Sequence, residues 1–142
     1  MLPEVLPWGA WVSYLVDTNV IGDLARARPN PGVVTWAGQV TSVSLSVVSL
    51  EEIRFSLAWK PNARIAAWFE RFLSEQCQIL PVTDEVARRS GDLRGRLRAR
   101  GRTHTQADML IAATAIAHRL TLVTRNEADF EGCDVTVLNP FS

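Results

Sequence analysis

A short apolar run that ends on a carboxylate is the feature that most constrains this sequence. Residues 13–19 read S-Y-L-V-D-T-N, and the apolar, partly β-branched run 14–16 is typical of a buried strand. Asp17 follows directly, and Thr18 and Asn19 are residue types that cap a helix. An acid between a strand and a helix lies outside the carboxyl end of the strand, where open parallel sheets bind ligands. The sequence therefore predicts a polar site at this edge of a sheet.

Apolar runs of strand length alternate with segments of helical periodicity along the chain. After the first strand, we expect further strands at residues 42–48, 79–82, 120–124 and 135–138. Between them, residues 63–76 repeat apolar side chains at helical spacing, and a long helix is predicted from Thr83 or Asp84 until Gly101 ends it. This alternation predicts an α/β layer fold with a mainly parallel sheet of about five strands.

Length and composition fit one ordinary domain. The chain has 142 residues and is 47% hydrophobic, enough to bury a sizeable core. Residues 1–12 are rich in proline and lack a basic segment, so we expect an N-terminal extension and a domain at residues 13–142. No apolar run approaches the ~18 residues of a membrane span, so no membrane association is expected. Cys77 and Cys133 have neither zinc-site nor disulfide spacing, which favours the cytoplasm.

Four acids stand at equivalent places, each near the end of a predicted strand or the start of a helix: Asp17, Glu52, Asp108 and Asp129. A purely structural interpretation is open for most of them. Glu52 and Asp108 each lie three residues after a hydroxyl residue, Ser49 and Thr105, in the pattern of a helix capping box. Asp129 fits an ordinary polar turn. Asp17 is harder to explain in this way, because burial removes the hydration of a carboxylate. This loss is unfavourable unless a positive group compensates it.

Considered together, the four acids predict a metal site. Converging carboxylates repel one another and raise each other's pKa unless a cation neutralises them. Oxygen ligands without histidine or thiolate suit hard ions such as Mg²⁺ or Mn²⁺, and helix N-termini at Glu52 and Asp108 would help to keep these acids ionised. Such ions activate water and stabilise a leaving oxygen during phosphodiester hydrolysis.

Several segments resemble one known family. They are Y-L-V-D-T-N-V-I, S-V-V-S-L-E-E-I-R, A-D-M-L-I-A-A-T-A, L-T-L-V-T-R-N-E-A-D-F and the closing L-N-P-F. In this order they resemble PIN-domain ribonucleases, specifically the VapC toxins of bacterial toxin–antitoxin pairs, over roughly residues 14–141. The resemblance implies a compact α/β/α domain and Mg²⁺- or Mn²⁺-dependent endoribonuclease activity. It also implies a homodimer and inhibition by a cognate VapB antitoxin.

The family motifs identify candidate residues in this chain. The first three family acids match Asp17, Glu52 and Asp108, although Glu51 stands beside the second where relatives have a small residue. Some relatives place the fourth acid where this chain has Asn126, and others where it has Asp129. We expect Asp129 to be the fourth carboxylate. Supporting polar roles and one phosphate contact are predicted for the remaining candidates: Asn19, Thr124, Asn126 and, for the phosphate, Arg125.

The resemblance leads to a hypothesis for the reaction. We expect Asp17, Glu52 and Asp108 to hold one metal, with Asp129 helping to bind a second or to orient the nucleophile. Water activated by the metal would then attack phosphorus in line, leaving a 5′-phosphate and a 3′-hydroxyl. A dehalogenase-type phosphotransferase is disfavoured because it needs an aspartate where Asn19 stands. A binding module that keeps the fold and holds RNA or an antitoxin with little catalysis is the remaining alternative.

Overall fold

The computed structural model describes residues 13–142, so the predicted extension at residues 1–12 lies outside the described residues. Five strands run along the chain, namely β1 (Tyr14–Val16), β2 (Val43–Ser46), β3 (Cys77–Leu80), β4 (Thr121–Val123) and β5 (Val137–Leu138). Six helices alternate with them in the described part: α1 (Thr18–Leu24), α2 (Pro31–Ala37), α3 (Val47–Trp59), α4 (Ala63–Gln76), α5 (Asp84–Ala99) and α6 (Gln106–Ala117). A short 3₁₀ turn, Glu127–Phe130, follows β4.

The strands form one sheet in the order β3-β2-β1-β4-β5, and every pair is parallel. This confirms the predicted α/β class and the five-stranded sheet, which is wholly parallel. From β1 the chain builds β2 and then β3 on one side, and it returns to the other side of β1 to form β4 and β5. The order of the strands therefore reverses beside β1. Open α/β sheets bind ligands outside the carboxyl ends of the strands at such a reversal.

Alternating side chains of the short strands build a core on each face of the sheet. In β1, Tyr14 and Val16 enter one core, which also contains Leu45 of β2 and residues of α1–α4 such as Phe69. Leu15, between them, enters the opposite core, which α5, α6 and the segment after β4 complete. Because successive strand side chains point to opposite faces, a three-residue strand serves both cores. The result is the predicted three-layer α/β/α arrangement.

Two predicted helix starts are wrong in detail, because a residue earlier in the chain caps the helix. The expected caps of α1 were Thr18 and Asn19, but the N-cap is Asp17, whose carboxylate accepts a hydrogen bond from the Thr18 N–H. The capping box proposed for Ser49 and Glu52 does not form either. The Ser46 hydroxyl oxygen accepts from the Val48 N–H at 3.1 Å, so α3 begins three residues sooner than predicted.

Other helix ends form as predicted. Thr83 caps α5, and Thr105 caps α6 by accepting from the Asp108 N–H at 3.1 Å. Gly101 follows α5 with a φ of 78°, a left-handed conformation that favours glycine, and the chain closes there with a hydrogen bond from the Arg102 N–H to the Leu97 carbonyl.

Three strands are shorter than expected, and a fourth is shifted along the sequence. β2 and β4 lack their predicted outer residues, β5 keeps only Val137–Leu138, and β3 spans Cys77–Leu80 instead of residues 79–82 because it starts directly where α4 ends. Cys77 and Cys133 are both free thiols. Within residues 13–142, no helix combines the length and apolarity needed to cross a bilayer.

The core position of Leu45 leads to a stability prediction. Leu45 is 0% exposed in β2, so Leu45→Ala should lower the free energy of unfolding by about 2–5 kcal/mol through lost transfer energy and a residual cavity. Urea denaturation followed by circular dichroism measures this change. As a control, Val34→Ala on α2, where the side chain is 49% exposed, should change it by less than about 0.5 kcal/mol. Equal effects of the two truncations would contradict the assignment of Leu45 to the core.

Candidate active site

Asp17 is the fixed centre of the candidate site. It follows β1, the central strand, at the carboxyl end of the sheet, and only 6% of the residue is exposed. Its two carboxylate oxygens accept hydrogen bonds from the Thr18 N–H at 2.8 Å, the Asn19 side-chain amide at 3.0 Å and the Thr124 hydroxyl at 2.8 Å. These bonds compensate part of the lost hydration, yet burial still raises the pKa of Asp17 above its usual value.

Asn19 and Thr124 connect the ends of β1 and β4. The Asn19 amide donates both to Asp17 and, at 3.2 Å, to the Thr124 hydroxyl oxygen, while its carbonyl oxygen accepts from the Arg125 N–H at 3.1 Å. The Thr124 oxygen also accepts from the Asn126 N–H at 3.1 Å. The segment after β4 is therefore tied to the Asp17 carboxylate, and the predicted supporting residues all belong to one network.

Glu52 reaches the same region from the second turn of α3. Its carboxylate accepts a hydrogen bond from the Thr18 hydroxyl at 3.0 Å. Burial raises the pKa of Glu52, and the negative charges of Asp17 and Asp108 raise it further, whereas the Thr18 bond opposes them. Glu51, its neighbour, is exposed. The Thr18 contact thus distinguishes Glu52 from Glu51 as the acid that faces Asp17.

Asp108 lies in the first turn of α6, across from Asp17. Burial raises the pKa of Asp108, and the charges of Asp17 and Asp129 add to this effect, while the Thr105 hydroxyl and His104 oppose it. The expectation that a helix N-terminus helps to keep Glu52 ionised is wrong, because α3 begins at Val47 and Glu52 lies in its second turn. Asp108 does lie in the first turn of α6, where the same expectation stays a prediction.

Asp129 is the most exposed of the four predicted acids and lies in the 3₁₀ turn after β4. Its charge raises the pKa of both Asp17 and Asp108, so it stands within electrostatic reach of the centre. Asn126, the alternative fourth position, precedes this turn and joins the site through its backbone N–H. The structure therefore brings all four predicted acids to one edge of the sheet.

The four acids lie near one another without an ion pair. None of them forms an ion pair with arginine, lysine or histidine within residues 13–142. In the same range, no group of three or more Asp, Glu, His or Cys side chains is arranged closely enough to hold a metal ion. The carboxylates are thus separated by distances over which charges act, not by the shorter distances of shared coordination.

Two site residues carry roles that the sequence analysis did not assign. Thr18 was considered only as a helix cap, but its hydroxyl orients Glu52. Thr105 was recognised as a cap, and its hydroxyl also lowers the pKa of Asp108. The signal for Thr105 was present in the capping-box pattern. The contact of Thr18 joins residues 34 positions apart, and no local pattern predicts it.

Comparison with known proteins identifies the family of this chain. The family model described as PIN domain matches residues 14–134. The VapC ribonuclease Y4jK of Sinorhizobium fredii is 31% identical over 135 residues, which cover 89% of this chain and 96% of that protein. Toxin FitB of Neisseria gonorrhoeae is 33% identical over 135 residues, covering 89% and 97%.

A solved structure agrees in fold as well as in sequence. A chain of a toxin–antitoxin complex from Klebsiella pneumoniae is 27% identical and superposes with a TM-score of 0.73, covering 92% of this chain and 99% of that one. The family match extends over most of the described residues and includes all four acids. The chain therefore belongs to the PIN-domain family, as its sequence motifs predict.

Proposed function

We propose that this protein is a metal-dependent endoribonuclease that acts as the toxin of a toxin–antitoxin pair. One observation carries the proposal: four acids from four separate segments meet at the reversal of strand order, burial and repulsion raise the pKa of Asp17, Glu52 and Asp108, and none of the four forms an ion pair among the described residues. The relatives named as a VapC ribonuclease and as a toxin support the nature of the activity.

The donor chemistry of the site fits Mg²⁺ or Mn²⁺. Asp17, Glu52, Asp108 and Asp129 offer only carboxylate oxygens, which hard divalent ions prefer, and their mutual repulsion is the cost that a cation removes. When bound, such an ion supplies the positive charge that activates water and stabilises the phosphate oxygens during hydrolysis. Because no three acids among the described residues are close enough to enclose an ion, Glu52, Asp108 or Asp129 would have to move inward to hold one together with Asp17.

The surrounding residues determine how freely each acid moves. Asp17 is held by three hydrogen bonds and is the fixed ligand, whereas Glu52 has one bond from Thr18. Asp129 is exposed and has the most freedom. In this arrangement, Asn19 and Thr124 fix the orientation of Asp17, and Asn126 fixes the start of the turn that carries Asp129.

Arg125 is the candidate contact to the RNA backbone. It is exposed, forms no ion pair within the described residues, and its N–H is bonded to Asn19 beside the acids. An arginine guanidinium matches the geometry of a phosphate, and its charge offsets the repulsion between the acidic site and the RNA.

The expected protein partners are a VapB-type antitoxin and a second copy of the chain. The Klebsiella neighbour is described as a toxin–antitoxin complex, which supports the first. Phe55 and Trp59 on α3 are 61% and 70% exposed, an unusual exposure for two adjacent aromatic side chains that favours association with a protein. We place the protein in the cytoplasm, where its RNA substrate lies and where Cys77 and Cys133 remain reduced.

A second candidate function is a PIN-fold binding module with little catalysis. The observation that favours it is the absence, within residues 13–142, of a ready group of three metal ligands. Catalysis requires the acids to converge on an ion, whereas binding of RNA or an antitoxin does not. The two candidates therefore differ in whether the acids bind a divalent ion.

Replacing Asp17 tests the catalytic proposal. Asp17→Asn keeps the shape of the side chain but removes the fixed carboxylate, so RNA cleavage in Mn²⁺ should fall by more than about 100-fold, beyond the loss typical of residues that only support metal ligands. Cleavage of a fluorophore–quencher RNA measures the rate, and isothermal calorimetry measures Mn²⁺ binding, which should also be lost. Circular dichroism verifies that the variant is folded.

The matched control for this experiment is Asp92→Asn, an identical substitution at an exposed position of α5. It should leave cleavage within about twofold of the unmodified protein, as is usual for surface substitutions. Full activity of Asp17→Asn would refute the nuclease assignment of the site. An unmodified protein that binds RNA but neither cleaves it nor binds Mn²⁺ would favour the binding module.

Neutralising Glu52 should stabilise the protein when no divalent ion is present. Burial and repulsion raise the pKa of Glu52 in the folded state. Above this folded-state pKa, the ionised carboxylate therefore lowers the free energy of unfolding. This penalty decreases as the pH falls toward the pKa of Glu in the unfolded chain. Glu52→Gln retains an oxygen for the Thr18 hydroxyl. In EDTA at pH 7 its melting temperature should exceed that of the unmodified protein, and the difference should shrink as the pH falls toward about 4.3, the value of an unperturbed Glu.

Divalent ions and a neighbouring variant complete this test. Added Mn²⁺ should raise the melting temperature of the unmodified protein more than that of Glu52→Gln. An ion that binds only the folded state stabilises that state, and the variant has lost one of the proposed ligands. Glu51→Gln, one position away and exposed, should show a smaller stabilisation in EDTA and keep the full response to Mn²⁺. The same behaviour in both variants would contradict the choice of Glu52.

A further inference from the structure

The closing L-N-P-F motif contacts the segment that follows β4. The Phe141 ring lies beneath the Arg125 guanidinium, whose carbon is 5.0 Å from the ring centre. The Asn139 side-chain amide donates to the Glu127 carboxylate at 3.2 Å and stands 3.5 Å from the Arg125 carbonyl oxygen. Residues 139–142, which we call the C-terminal clasp, thus contact Arg125 through both its side chain and its backbone.

The clasp is itself fixed at both ends. Upstream, the Thr124 N–H donates to the Leu138 carbonyl at 3.0 Å, which continues the pairing of β4 with β5. Within it, the Asn139 side-chain oxygen Oδ1 accepts from the Phe141 N–H at 3.0 Å, forming a local turn. Arg125 therefore rests on a segment whose conformation is determined by the sheet and by its own side chains.

The downstream end of the clasp is anchored at the start of α2. The Asn30 side-chain oxygen accepts from the Ser142 N–H at 3.0 Å, and the Gly32 N–H donates to the Ser142 hydroxyl at 3.2 Å. A Cβ atom at Gly32 would come within 2.3 Å of the Pro140 carbonyl oxygen, so only glycine permits this approach. The clasp joins α2 to the Arg125 segment across the carboxyl edge of the sheet.

From these contacts we propose that Asn139 and Phe141 are positioning residues, which hold Arg125 on the segment after β4, with its guanidinium over the Phe141 ring, so that it binds an RNA phosphate. This inference rests on the proposed function. The Asn19 carbonyl fixes the Arg125 backbone from the side of Asp17, and the Phe141 ring restricts its side chain from the other. A cation held over an aromatic face loses less freedom when it binds a phosphate, and this preorganisation increases affinity.

RNA affinity of variants in EDTA tests the proposal without any need for cleavage. Binding of a fluorescein-labelled single-stranded RNA is measured by fluorescence anisotropy. Phe141→Leu should raise Kd by about two- to fivefold, the size expected for a partly exposed cation–π contact. Asn139→Ala should raise it in the same direction. Phe141→Tyr, which retains an aromatic face, should bind like the unmodified protein.

A double-variant cycle separates positioning from a general loss of structure. Arg125→Ala should weaken binding and lower the slope of log Kd against log salt by about 0.7, as expected for one lost contact to a single strand. Adding Phe141→Leu to Arg125→Ala should then have no further effect, because the ring acts through the guanidinium. Ile79→Leu, which introduces the same residue at an exposed apolar position of β3, is the control and should leave Kd unchanged.

The outcomes distinguish this inference from the proposed function. Unchanged affinity in Phe141→Leu, or an equal loss with and without Arg125, would overturn the positioning role while leaving RNA cleavage in Mn²⁺ intact. RNA binding that depends on Phe141 and Arg125 in a protein that does not cleave RNA would support the inference and refute the nuclease. A protein that does not bind RNA would refute both.

Discussion

The arrangement of the site depends on the hydrogen bonds that stabilise the buried Asp17 carboxylate. An ionised carboxylate removed from water without partners would be strongly disfavoured. Here a backbone N–H, an amide and a hydroxyl compensate part of that loss, and the hydroxyl comes from Thr124, 107 residues away in the sequence. One side chain thereby joins the ends of β1 and β4, the two strands between which the strand order reverses. Asp17 is consequently both a helix cap and the link that closes the site.

The other acids lack a comparable set of donors, and this difference explains the character of the site. Glu52 and Asp108 each receive one hydroxyl contact, from Thr18 and Thr105, and both remain subject to the charges around them. Like charges 4 Å apart repel by about 4 kcal/mol near a protein surface, about as much as truncating one buried leucine destabilises a core. This repulsion decreases as the distance between the charges increases.

Sequence patterns predicted the elements and the meeting of the acids more accurately than the element boundaries. The acid after β1 was identifiable because an apolar run ends abruptly at Asp17. The start of α3 was not, because Ser46 and Ser49 are both suitable caps and only the end of the pairing between β2 and β3 selects Ser46. The bond from Thr18 to Glu52 was also missed, since it depends on how α1 and α3 approach each other. The resemblance to the PIN family supplied the register that local patterns could not.

The distribution of the acids over separate elements explains how one small domain holds them together. Asp17 follows a strand in the centre of the sheet, Glu52 belongs to a helix anchored in one core through Ile53, and Asp108 belongs to a helix anchored in the other through Met109. The packing of two separate cores, one on each face of the sheet, therefore resists the repulsion between the carboxylates, and no single loop has to do so. Asp129 is an exposed residue of a short turn that Phe130 anchors in the same core as Met109, and the C-terminal clasp contacts this turn from outside. The clasp thus adds hydrogen bonds and one aromatic contact to the anchoring that Phe130 provides.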